Sequence, residues 1–119
     1  MSYNIRFAVK VAGAGDELVV IGEPEYSSPT YNIRDIFVKS MDWNYTQGVF
    51  YKLSDVWPKI EHGISELSAH MRDYKQLEPD NGWGSAEGAL RCLRSIQDWW
   101  IEWSEWNQNV PMECVYMAF

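Results

Sequence analysis

Cysteine, histidine and long apolar runs are all scarce in this chain of 119 residues. Two cysteines, Cys92 and Cys114, cannot build a disulfide framework, and a single distant pair offers no zinc-finger spacing. No apolar run approaches the roughly 20 residues of a membrane span, and the first residues lack the apolar core of a signal peptide. We therefore expect a soluble, unexported protein of the cytoplasm without membrane contact.

Basic residues are also few, with ten Lys and Arg against seventeen Asp and Glu, for a net charge of −7. Residues 1–59 carry seven acids and six bases, whereas residues 60–119 carry ten acids and four bases. A protein that binds a phosphate backbone needs clustered Lys and Arg. The sequence therefore predicts no direct nucleic-acid binding and favours a partner protein with a basic surface.

Aromatic residues, by contrast, are abundant, since seven Trp, seven Tyr and four Phe make up 15% of the chain. The length suits one domain over residues 1–119, and a domain of that size has limited interior volume for so many rings. Some of them are expected at an interface.

Hydrophobic periodicity predicts a hairpin followed by helices. Apolar and polar residues alternate over 3–11, turn residues occupy 13–17, and a second β-branched run follows at 18–21. Helical spacing predicts a helix over 31–42 and another from Ser54, with Pro58 tolerated in its first turn. The predicted inward stripe of that second helix comprises Trp57, Ile60, Ile64, Leu67 and Met71.

Residues 74–84 contain helix breakers and are predicted to be a connector, after which Ser85 caps a last helix over about 86–106. That helix has an ordinary apolar arc and also an apolar flank, which comprises Cys92, Trp99, Trp103 and Trp106. Either the hairpin covers this flank, or the flank is exposed and drives association. The tail after Pro111 is predicted to be a strand or a packed arm. The expected fold is α+β, a small antiparallel sheet with about three helices, the last two long and antiparallel.

Several short motifs carry a resemblance to a known family: Pro29-Thr-Tyr-Asn-Ile33, Gln47-Gly48, Tyr51-Lys-Leu-Ser-Asp-Val56, Asn81-Gly-Trp-Gly84 and Val115-Tyr-Met117. Over most of residues 24–117 the chain resembles small uncharacterised proteins encoded by phages, prophages and mobile elements of Firmicutes. Family members end in Tyr-Met-Arg-Trp where this chain ends in Tyr116-Met-Ala-Phe119. The resemblance implies a bacterial host and a genomic setting in which inhibitors of host defence, including anti-CRISPR proteins, are common.

Catalytic and metal sites are not expected. His62, Glu66 and His70 recur at four-residue intervals, but His62 lies opposite the predicted apolar stripe, which favours solvated histidines over a metal site. Cys92 and Cys114 lie among apolar residues and are predicted to be buried, unreactive thiols. No nucleophile, base and orienting group can be assembled, so we predict neither catalysis nor a cofactor.

The leading hypothesis is a non-catalytic protein that binds and inhibits a host defence protein through an acidic, Trp-rich surface. Its predicted binding residues are Trp83, Asp98, Trp99, Glu102, Trp103, Glu105 and Trp106. As an alternative, these acids and Glu113 only make the protein soluble and have no partner. For Trp83 there are also two possibilities: its glycine-flanked turn presents the ring to a partner, or the ring packs into the core. The Trp flank predicts a homodimer through residues 99–106.

Two alternatives from other classes remain. One is a protein that sequesters a small molecule or nucleotide signal, with Trp83 or Tyr74 stacking on a base and Arg91 or Arg94 meeting phosphate. The other is a small enzyme of unknown class.

Overall fold

A four-stranded antiparallel sheet and four α-helices make up the described part of the protein in the computed structural model. The structure describes residues 4–10, 15, 17–27, 29, 31–80, 82 and 84–119. This architecture confirms the α+β class.

The sheet joins the two ends of the described chain. Strands β1 (Arg6–Lys10) and β2 (Leu18–Gly22) form the predicted antiparallel hairpin, β3 is Tyr51–Lys52, β4 is Val115–Ala118, and the strand order is β2-β1-β4-β3. Most of the predicted hairpin turn, 13–17, lies outside the described residues. Because β4 pairs with both β1 and β3, the tail after Pro111 is a central strand.

The helices are α1 (Arg34–Met41), α2 (Leu53–Ala69), α3 (Met71–Lys75) and α4 (Ala86–Trp106). Short 3-10 turns at Tyr31–Ile33 and Met112–Cys114 precede α1 and β4. The predicted helix over 31–42 therefore consists of a 3-10 turn and α1. The last helix has the predicted bounds.

For α2, the predicted position of Pro58 is wrong, and the predicted inward stripe is confirmed only at Ile60 and Leu67. Pro58 is the sixth residue of the helix, beyond the first turn, so α2 lacks one hydrogen bond to the Ser54 carbonyl. The buried face is also rotated from the predicted stripe: it comprises Leu53, Val56, Ile60, Gly63 and Leu67, whereas Trp57, Ile64 and Met71 are half-buried.

Gly63 explains the rotation. A Cβ atom at this position would lie 2.8 Å from both Leu93 Cδ1 of α4 and Met41 Cγ of α1, so both helices approach α2 at this residue. A pattern of apolar side chains does not identify a glycine as the centre of a packed face. Lys75, beyond the end of α2, meets Glu87 near the start of α4, and the two long helices are therefore antiparallel.

Part of the predicted connector 74–84 is also helical, because α3 restarts after a break at His70, where φ is −128° and ψ is 35°. Tyr74 on α3 is buried, with 3% of its surface exposed.

The core lies between the helices and one face of the sheet. Ile5 and Phe7 of the β1 segment, Met117 of β4, and Ile60 and Leu93 of the long helices are fully or almost fully buried. Among the described helices, none has the length and apolar character that crossing a bilayer requires.

Candidate functional site

The candidate site is built on α4, whose start is fixed by side chains. The Ser85 Oγ accepts a hydrogen bond from the Gly88 N–H at 2.9 Å, as an N-cap residue does. The Ala86 N–H donates to Glu78 Oε1 at 2.9 Å, which satisfies a further amide of the first turn. The helix is therefore anchored at its beginning, and its last turns carry the aromatic and acidic residues.

The hairpin covers Trp99, the first Trp of the apolar flank. The Trp99 ring stacks on Phe7 of β1 with centroids 3.7 Å apart and planes within 3°. Trp103 stacks on the other side of this pair, 5.5 Å from Trp99 at 13°. Gly22 of β2 makes room for the ladder, since a Cβ there would lie 2.9 Å from Trp99 Nε1. Trp99 is therefore partly buried against the core rather than an exposed binding residue, and Trp103 is likewise half-buried.

Trp106, at the end of the same flank, is exposed. It presents 84% of its surface to solvent, and Ile101 presents 53%. At 100° per residue, these two side chains border a stripe of α4 that carries Asp98, Glu102 and Glu105. The structure thus brings together four of the predicted binding residues, and the exposed Ile101 lies beside them.

The acidic stripe comprises Asp98, Glu102 and Glu105, which are all exposed. Lys75 forms an ion pair with Glu87, and His70 Nε2 lies 3.8 Å from Glu66 Oε2. No carboxylate of the stripe takes part in either contact. Since no Lys or Arg follows Arg94 in the chain, the negative charge of the stripe has no cationic neighbour along the later sequence. Predicted residue Trp83 lies outside the described residues.

A cleft of about 700 Å³ lies beside the first half of α4. Arg91 and Arg94 line it with Tyr26, a residue that the sequence analysis missed, and the Arg91 guanidinium carbon is 5.9 Å from the Tyr26 ring centroid. The cleft also contains the carboxylates of Glu25, Glu87 and Asp98. Glu87 already pairs with Lys75, so Glu25 and Asp98 balance the two arginines and the cleft offers no excess positive charge to a phosphate-rich ligand.

Tyr74, the other predicted stacking residue, is unavailable to a ligand because it is buried. Its hydroxyl donates to Glu66 Oε1 at 3.0 Å. Burial, together with this hydrogen bond and the adjacent Glu66 charge, raises the pKa of Tyr74 to about 12. Tyr74 therefore has a structural role.

The histidines and cysteines singled out in the sequence have the following surroundings. His62 is exposed, Glu66 bonds to Tyr74, and no group of three metal-ligating side chains occurs in the described ranges. Burial raises the pKa of the Cys92 thiol, as predicted. The prediction for Cys114 is wrong: the 3-10 turn before β4 leaves its thiol exposed.

Trp103 and Cys114 line a second cleft, at the end of the sheet. It has a volume of about 480 Å³, and residues of β1, β3 and β4 also line it. Comparison with known proteins finds no matching family model, no matching curated protein and no matching solved structure.

Proposed function

We propose that the protein is a non-catalytic binding protein that inhibits a partner protein by covering the partner's basic surface with the exposed stripe of α4. The observation that carries this proposal is the position of Trp106. An indole with 84% of its surface exposed lies beside three solvent-exposed carboxylates and the exposed Ile101.

The two kinds of side chain have different roles in binding. Trp residues are frequent hot spots, because their large rings bury much apolar area when a partner covers them. The carboxylates of Asp98, Glu102 and Glu105 would speed association with a cationic surface and exclude anionic ones. Affinity would then depend mainly on Trp106 and Ile101, and selectivity mainly on the acids.

The chemistry of the stripe defines the partner class. A row of carboxylates with few cations suits a surface that normally holds a phosphate backbone, which is a property of nucleic-acid-binding effectors. The resemblance to phage and mobile-element proteins supports a host defence protein in the bacterial cytoplasm, such as a CRISPR effector, as the target. Sequestration of a nucleotide signal is the weaker alternative, because the cleft beside Arg91 and Arg94 contains more acids than bases.

The test compares two variants with the same change in charge. Asp98→Asn, Glu102→Gln and Glu105→Gln together remove three negative charges from the stripe. Glu17→Gln, Glu23→Gln and Glu61→Gln remove three from exposed positions outside α4. Each protein is used to capture partners from lysate of a bacterial host, and association rates with the purified partner are measured at low and high salt.

We expect the stripe variant to associate more slowly and to lose most of the salt dependence, whereas the control triple behaves as wild type. Trp106→Ala should instead accelerate dissociation. In cells of a defence-carrying host, wild type and the control triple should restore phage plating and the stripe variant should not. Equal binding by all variants would refute the proposal. The acids of the stripe would then only contribute to solubility.

A further inference from the structure

The cleft at the end of the sheet has the composition of a small-molecule site. β1, β3, β4 and the last turns of α4 surround it, and its volume of about 480 Å³ lies within the range of ligand pockets. Its walls are mainly apolar, with Val9, Trp103, Val110, Pro111 and Tyr116 among the lining residues. Such sites combine apolar walls with a few polar groups that fix the ligand's orientation.

The aromatic walls are held in place before any ligand arrives. The Trp103 ring stacks on Trp99, which itself stacks on Phe7 of β1, so neighbouring rings support its orientation. Tyr116 lies on the central strand β4, and Lys10 Nζ is 5.4 Å from its ring centroid. A wall that is already ordered loses little conformational entropy when a ligand binds.

The charge of the cleft is opposite to that of the molecule. Lys10 and Lys52 line it, and Glu113 is the one acid among its described lining residues. The chain as a whole carries −7, and the larger cleft beside Arg91 and Arg94 contains three acids. An anionic group is therefore better accommodated beside Lys52 than beside the acidic stripe of α4.

We infer that this cleft binds a small organic anion, whose apolar body lies against the aromatic walls and whose acidic group meets Lys52. Around α4, Trp103 is turned by about 140° from Asp98 but by only about 60° from Trp106, so the cleft adjoins the apolar end of the proposed inhibitory surface. The assignment does not rest on the proposed function.

The test uses a pair of fluorescent probes that differ only in charge. Anilinonaphthalene sulfonate has a flat ring system and one sulfonate, and N-phenylnaphthylamine has the same rings without the sulfonate. We expect the sulfonate to bind more tightly than the neutral probe. Lys52→Gln should weaken sulfonate binding about fivefold, as the loss of one exposed ion contact does, and leave the neutral probe unaffected. Lys59→Gln on α2 is the matched control and should change neither.

Cys114 shows where the probe is bound. Its thiol is exposed and lines the cleft, whereas Cys92 is buried, so a maleimide reagent modifies Cys114 first. Saturating sulfonate probe should slow this modification in wild type, and a higher probe concentration should be needed in Lys52→Gln. Absence of binding, equal binding of the two probes, equal effects of the two lysine variants, or binding without protection of Cys114 would each overturn the assignment.

Discussion

At the scale of single residues, Gly63 shows how one missing side chain sets the packing of three helices. Ala is favoured over Gly in a helix interior by about 1 kcal/mol, so Gly63→Ala would stabilise an isolated α2. Here the added Cβ would lie 2.8 Å from Leu93 and Met41. We expect overpacking to dominate and to lower the free energy of unfolding by about 1–3 kcal/mol.

Urea unfolding measures this effect, and Ser65→Ala, at an exposed position of the same helix, is the control. The control should change the free energy of unfolding by less than about 0.5 kcal/mol. If Gly63→Ala is as stable as wild type, the side chains of Leu93 and Met41 can shift to accommodate the added Cβ at little cost in free energy.

Tyr74 should make stability depend on pH in the alkaline range. Its pKa is raised from 10.0 to about 12, so the folded state favours the neutral phenol. The resulting stabilisation is complete below pH 10 and is lost as the pH rises from 10 through 12, by at most about 2–3 kcal/mol. At about pH 9, Tyr74→Phe should be about 1 kcal/mol less stable than wild type, because the hydrogen bond to Glu66 is lost.

Urea unfolding at about pH 9 and about pH 11.5 tests this prediction, since the titration range lies between. The difference between wild type and Tyr74→Phe should shrink or reverse at the higher pH, because only wild type has this phenol to ionise. A difference that stays constant with pH would contradict the assignment.

At the scale of elements, the face that α2 buries can be measured. Ile60 is fully buried and Ile64 is half-buried, although the apolar pattern predicts both on the inward stripe. Ile60→Ala should therefore lower the free energy of unfolding by about 2–5 kcal/mol, and Ile64→Ala by clearly less. Thermal melts of both variants decide between the observed and the predicted buried face of α2. An equal loss of stability in the two variants would favour the predicted face.

The sequence predicted those elements whose signals are local. The hairpin follows from the alternation over 3–11, and α4 follows from the Ser85 cap and its periodic residues. The break at His70 and the glycine-centred face of α2 have no comparable local signal, because neighbouring helices determine them. The position of β4 at the centre of the sheet depends on pairing with strands that are distant in the sequence.

The candidate site shows the same division. The absence of cations after Arg94 identified the acidic stripe. The different surroundings of Trp99 and Trp106 could not be predicted, because the two residues lie two turns apart on almost the same side of α4. Only the extent of the hairpin decides that Trp99 is covered and Trp106 is exposed.

At the scale of the whole molecule, the acidic stripe affects how two copies can meet. A homodimer through residues 99–106 remains a prediction, and Trp106 and Ile101 supply exposed apolar surface for it. In a two-fold contact each surface meets its own copy, so Asp98, Glu102 and Glu105 would face the same carboxylates. Their repulsion opposes self-association at neutral pH, whereas a basic partner is attracted by the same groups.

The two associations should therefore respond to salt in opposite directions. Salt screens exposed charges over about 8 Å at physiological ionic strength, so it should strengthen the homodimer and weaken binding to a basic partner. Light scattering across a salt series measures the first, and association rates with the captured partner measure the second. Trp106→Glu should abolish the homodimer by adding a charge to its apolar centre, whereas replacing the three acids with Asn and Gln should strengthen the homodimer at low salt. If the protein stays monomeric at high micromolar concentration at every salt concentration, the homodimer is refuted. Trp106 would then be available only for contact with a different protein.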